Sequence, residues 1–165
     1  MNIEEKIEFL RKKYPEFGRK VIYDTDGKGN EFCEMVYPNE KNPMMPITVC
    51  VSEDGCLISV GQISHVTGYR PITVEQAASA IDDVVNDRIV FVLGYKDGDD
   101  IGSGAPYLTD LYPITGDVDD RSEALEAFIG KINTPVTGFK RKLTRLKGRF
   151  IIFNFSGSRR EEIFR

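Results

Sequence analysis

The chain has 165 residues, of which 41% are hydrophobic and 29% charged, with a formal net charge of −4. That length and mix exclude a disordered tail or a fibrous repeat and allow a sizeable core. No apolar run approaches the roughly 20 residues that span a bilayer, and the charged N-terminus MNIEEKIEFLRKKY lacks the apolar stretch of a secretory leader, so we expect a soluble cytoplasmic protein with no membrane partner.

In chain order, Asn2 to Tyr14 reads as a helix. Asn2 is the cap, Glu5 reaches back to it, and Ile3, Ile7, Leu10 and Tyr14 form the apolar stripe. Pro15 and Gly18 end it. A hairpin follows, KVIYDT and NEFCEMVY around the turn DGKG. Within it, Asp24 to Asn30 resembles a calcium loop only briefly. Lys28 stands where the fifth ligand belongs and Met35 where a bidentate Glu belongs, so the hairpin turn is the better reading.

Asn39 to Pro46 is a loop whose Met44-Met45 pair reads as a lid over the core or as an adaptable exposed contact. ITVCVSEDGCLISV is a second hairpin. With Asp54-Gly55 as its two-residue turn, Val51 faces Ile58 and Val49 faces Val60. Cys56 then shares the Ile58 face and Cys50 lies opposite, so the two cannot bridge. Three cysteines are an odd count that fits a reducing compartment. The second strand continues toward Val66 or bends at Gly61.

Thr73 to Tyr95 is the clearest unit. Thr73 and Gln76 have capping-box spacing. Val74, Ala77, Ala78, Ile81, Val84 and Val85 form one helical face. Asp82, Asp83 and Asp87 crowd the C-terminus against the macrodipole, with Arg88 as a compensating charge. Ile89 to Leu93 is apolar on both strand faces, as in a central strand covered on both sides.

Residues 96–106 form a Gly- and Asp-rich loop, and YLTDLYPI an edge strand that Pro113 ends. A helix opens near Asp119-Asp120 and buries Ala124, Leu125, Phe128, Ile129 and Ile132. After a Pro/Gly turn, Phe139, Leu143 and Leu146 line a short basic helix. RFIIFNF, residues 149–155, is a second central strand, and the tail after it forms a helical turn or frays. The fold class is therefore α+β, one domain over residues 1–165, with a mixed or mainly antiparallel sheet of five to six strands and three to four packed helices.

No constellation supports an assigned catalytic residue, metal or cofactor, and the reading leans against an enzyme. Asp97, Asp99 and Asp100 follow a central strand, and Gly102 and Gly104 come just after, making a candidate ligand loop; a solvated loop has the same composition, and the endings of phosphate loops are missing. His65 is the one histidine, so any His-based chemistry rests on it, though a structural or surface role is the simpler account.

The densest signal is cationic. Lys140, Arg141, Lys142, Arg145, Lys147 and Arg149 fall within ten residues, and residues 139–165 carry nine Lys/Arg against two Glu while residues 1–138 carry thirteen against twenty-four Asp/Glu. This polarity steers an acidic partner, or is neutralised internally as a solvated helix face. The leading expectation is a non-enzymatic interaction or regulatory module whose partner is another protein. The alternatives are nucleic-acid binding through 140–149, and an enzyme using the 97–104 loop or His65.

Overall fold

In the computed structural model, which describes residues 1–61, 63, 66–95, 108–113, 148–158 and 160–164 (backbone alone for 108–113, 161, 163 and 164), the chain divides into two units, Met1–Asn86 and Asp87–Arg165.

The first unit starts with α1 (Ile3–Lys13), whose capping box is complete. Glu5 N–H donates to Asn2 Oδ1 and Asn2 N–H to Glu5 Oε2, both at 2.9 Å. A 3₁₀ turn, Pro15–Phe17, tucks Phe17 edge-on between Tyr14 and Tyr37. Four strands follow: β1 (Ile22–Thr25), β2 (Glu31–Tyr37), β3 (Ile47–Ser52) and β4 (Gly55–Val60). They form an antiparallel meander in the order β1-β2-β3-β4. In β3, buried Ile47, Val49 and Val51 alternate with half-buried Thr48, Cys50 and Ser52. That period of two marks a sheet with one face on the core. Two helices supply that core: α1 packs on β3, and α2 (Val74–Val85) packs on β4 and on α1. Fully burying each Val, Ile or Leu of this layer contributes about 1.5–3 kcal/mol.

The β3–β4 register differs from the sequence expectation in an instructive way. The turn residues are Glu53-Asp54, so Val51 faces Cys56 and Val49 faces Ile58. The shift is two residues, and an even slip leaves every side chain on its face. Cys56 is therefore buried on the core side, Cys50 lies on the other face, and all three cysteines are free. The chain does not run on past Val60. Gly61 takes φ +54°, and Val66 N–H returns to Ile58 O at 2.7 Å. A Cβ on Gly61 would lie 2.5 Å from Met45 Sδ. Met45 is buried there while Met44 is exposed, so one methionine is the lid and the other faces solvent.

Next, Ile72 pairs with Cys56, its N–H to Cys56 O at 3.0 Å and its O from Cys56 N–H at 2.8 Å. Gly55 permits this approach, since a Cβ there would stand 2.4 Å from Ile72 O. Thr73 and Gln76 then cap α2 as their spacing requires. The acidic end of α2 is compensated by α1. Tyr14 Oη lies 2.7 Å from Asp82 Oδ1 and 2.6 Å from Ala78 O, and Lys13 Nζ pairs with Asp82.

The second unit holds β5 (Ile89–Tyr95), β6 (Leu108–Pro113), β7 (Arg149–Asn154) and β8 (Arg160–Phe164). All pairings are antiparallel, in the order β6-β5-β7-β8. Every residue of β5 is buried, and so is β7 after Arg149, as continuous apolar runs imply. Phe91 and Phe153 stack at 5.8 Å between centroids. Asp87, at φ +56°, accepts from Ser156 N–H at 2.9 Å.

Three expectations are corrected. One sheet of five to six strands is instead two four-stranded antiparallel sheets. Three to four helices become two α-helices and one 3₁₀ turn among the described residues; the helices expected near 119–132 and 139–146 lie outside those residues. The tail is a strand, because Arg160 to Phe164 completes the hydrogen bonding of β7. No helix among the described residues is long and apolar enough to cross a membrane.

Candidate functional site

An accessible hydrogen-bonding edge among the described residues is β1. It ends its sheet, and all four of its residues are exposed. Ile22 is 48% and Tyr23 61% exposed, which is unusual for such side chains in a strand. Core burial does not hold β1 in place; α1 does. Arg11 Nε donates to Gly18 O at 3.0 Å and Nη2 to Arg19 O at 2.7 Å, pinning the chain just before the strand. Tyr23 Oη donates to Glu4 Oε1 at 2.7 Å, tying the strand itself to α1. That bond to a carboxylate raises the phenol above its ordinary range, so the donor persists into alkaline solution.

At the other end, the hairpin turn is locked by one side chain. Asp26 Oδ1 accepts from Lys28 N–H at 2.7 Å and from Asn30 N–H at 2.9 Å, and Oδ2 accepts from Asn30 Nδ2 at 2.9 Å. These bonds, Asn30 foremost, hold the carboxyl below the usual range. The Asp24–Asn30 stretch thus spends its central carboxylate on its own backbone, as a turn does, rather than on a cation.

Ladder geometry identifies which backbone groups face out. Asp26 N–H donates to Asn30 O at 3.0 Å, so this pair is hydrogen-bonded. In an antiparallel ladder such pairs alternate. Asp24 and Ile22 therefore bond toward β2, while Tyr23 and Thr25 turn their N–H and C=O groups outward. Thr25 N–H is taken by Asp24 Oδ1 at 2.7 Å. Tyr23 presents both an N–H and a C=O on the open side. Beside it lies an open hollow of about 270 Å³ lined by Tyr23, Asp24, Thr25, Glu31 and Phe32, with one carboxylate and one aromatic ring on each face of the hairpin.

The opposite edge of the same sheet is partly closed, since β4 bonds to Ile72 and Val66. The thiols offer little reactivity. Burial pushes Cys33 and Cys56 up to about 11 and raises Cys50 as well, so the nucleophilic thiolate is scarce near neutral pH. No group of three metal-ligating side chains occurs among the described residues.

Of the residues singled out in the sequence, Lys140, Arg141, Lys142, Arg145 and Lys147 lie outside the described residues. So do Asp97, Asp99, Asp100, Gly102, Gly104 and His65. Arg149 is described. It opens β7 half-buried, between Tyr95 and Phe164 in register, and its Nη2 donates to Glu162 Oε1 at 2.6 Å. That bond holds the Glu162 carboxyl low, so one of the six cations has an internal counter-charge.

Sequence reasoning missed two residues. Tyr23 was placed in a strand without its edge position, which depends on strand order. Lys6 is 7% exposed, and its ammonium donates to Ser52 O and Glu53 O at 2.7 Å each, fastening α1 to the β3–β4 turn. Its signal was present: Lys6 falls between Ile3 and Leu10 at helical spacing, on the buried face.

No family model matches the chain, and no curated protein or solved structure matches it significantly.

Proposed function

We propose that this protein is a non-enzymatic interaction module that takes an extended segment of a partner protein on β1. The observation that carries the reading is the outward N–H and C=O of Tyr23 on a fully exposed edge strand that α1 holds in place. Such an edge templates pairing with another chain, and its fixed position lowers the ordering cost of binding. In this reading the cationic segment Lys140–Lys147 steers an acidic surface of the partner that is separate from the strand β1 receives. Three free thiols fit a cytoplasmic setting.

The test is Tyr23→Pro. Proline at an outward-facing edge position removes the free donor and spares the β1–β2 ladder, and Tyr23→Phe, which loses only the tie to Glu4, should still capture the partner. Capture from host extract should yield a protein held by the wild type and lost by this variant, with the circular dichroism spectrum unchanged. Identical captured sets from both proteins would sink the reading. Charge reversal at Lys140, Arg141 and Lys142 should slow capture at low salt and matter little at high salt.

A further inference from the structure

We infer that the segment received by β1 is cationic, an extended strand whose lysine or arginine enters the hollow beside Tyr23. The inference rests on the interaction reading above and adds the chemistry of the partner. A strand laid along β1 exchanges hydrogen bonds with Tyr23 N–H and C=O, and reaches Thr25 C=O. Thr25 N–H is already bonded to Asp24, so the edge presents more acceptors than donors. Side chains of the incoming strand alternate between the two faces of the sheet. By register Tyr23 and Glu31 lie on one face of the hairpin and Asp24 and Phe32 on the other, so at this end each face offers one carboxylate beside one ring. Carboxylate beside aromatic surface is the environment that a lysine or arginine side chain fills best, its stem on the rings and its charge on the oxygens.

Charge also decides against a second copy of this chain. Pairing β1 with β1 would bring two acidic hollows into one seam, and like charges across neighbouring strands are destabilising. An anionic segment meets the same opposition.

The probe is an acetylated, amidated hexapeptide of alternating lysine and valine, with backbone-amide NMR on the full chain as the readout. We expect the amide signals of Tyr23 and Thr25 to shift on titration. A glutamate–valine peptide should bind at least about tenfold more weakly, as opposed charge patterns do. The double variant Asp24→Asn/Glu31→Gln, which neutralises the carboxylate on either face, should weaken lysine–valine binding about threefold, the scale of one exposed ion pair. A lysine–valine peptide methylated on its backbone nitrogens should not shift Tyr23 at all; that arm needs no protein variant to fold. Equal binding of the two peptide charges overturns the cationic assignment while leaving the edge reading intact. If no peptide shifts Tyr23 and Tyr23→Pro changes no capture, both fail. A concentration-dependent dimer that Tyr23→Pro dissolves would make a second copy the occupant and overturn the inference.

Discussion

The two sheets have the same number of strands and the same antiparallel pairing, yet they bury them differently. In the first unit β3 alternates buried and half-buried residues along its length, and α1 and α2 pack on one face. In the second, β5 is buried at every position. The first arrangement leaves a face and an edge with polar work to do; β5 and β7 spend nearly every side chain on packing. Tyr23, with spare hydrogen-bonding groups, belongs to the first sheet, while Phe91, Phe150 and Phe153 serve the core of the second. A strand's burial pattern thus separates central strands given over to packing from an edge strand open to solvent.

The largest effect should come from the fully buried sheet. Phe91→Ala removes a side chain with no exposure and a stacked partner in Phe153, and should cost about 3–5 kcal/mol in guanidinium unfolding. The matching change on the half-buried face of β2, Phe32→Ala, should cost well under half of that. Equal losses would show that the contrast between the sheets carries no energetic weight.

A smaller effect belongs to the latch of the first unit. Lys6→Met keeps the stem and leaves Ser52 O and Glu53 O without their donor, which should cost about 1–3 kcal/mol. Hydrogen exchange should show faster opening at the β3–β4 turn, with β5 and β7 unaffected. Uniform acceleration in both sheets would mean that the latch stabilises more than its own hairpin.

The smallest is a pH effect on thiols. Cys33 and Cys56 lie near 11 in the folded chain against an ordinary value of 9.0. A raised value favours the protonated folded form, so their stabilisation is complete below pH 9 and is lost as pH rises toward 11. Denaturant midpoints should fall across that window, and Cys33→Ala/Cys56→Ala should flatten the fall. At pH 8 a thiol reagent should reach half-buried Cys50 before the other two. Simultaneous labelling of all three would contradict the burial of the inner face.

Much of the local structure was legible because short-range physics sets it. Asn2 with Glu5, and Thr73 with Gln76, satisfy helix N–H groups within one turn, so their spacing alone marks the helix starts. Pro113 ended β6 at a sheet edge because proline cannot donate to a ladder. The β3–β4 register was misread by two residues, with no consequence for facing, because hydrophobic alternation constrains parity and not the exact turn. The tail was misread because Arg160 to Phe164 has little strand character of its own; pairing with β7 makes it a strand.

What the sequence by itself determined about this protein is the list of elements whose causes lie within a few residues: α1, α2, both hairpins of the first sheet, β5 and β7. What only the tertiary structure decided is how strands share hydrogen bonds over long separations. That sharing divided the eight strands among the described residues into two sheets, set Lys6 over a turn some 46 residues away, and left Tyr23 on an open edge. The reason is physical. Each strand is indifferent to which neighbour completes its ladder, and only the assembled sheets settle which backbone groups are spent and which remain available to a partner.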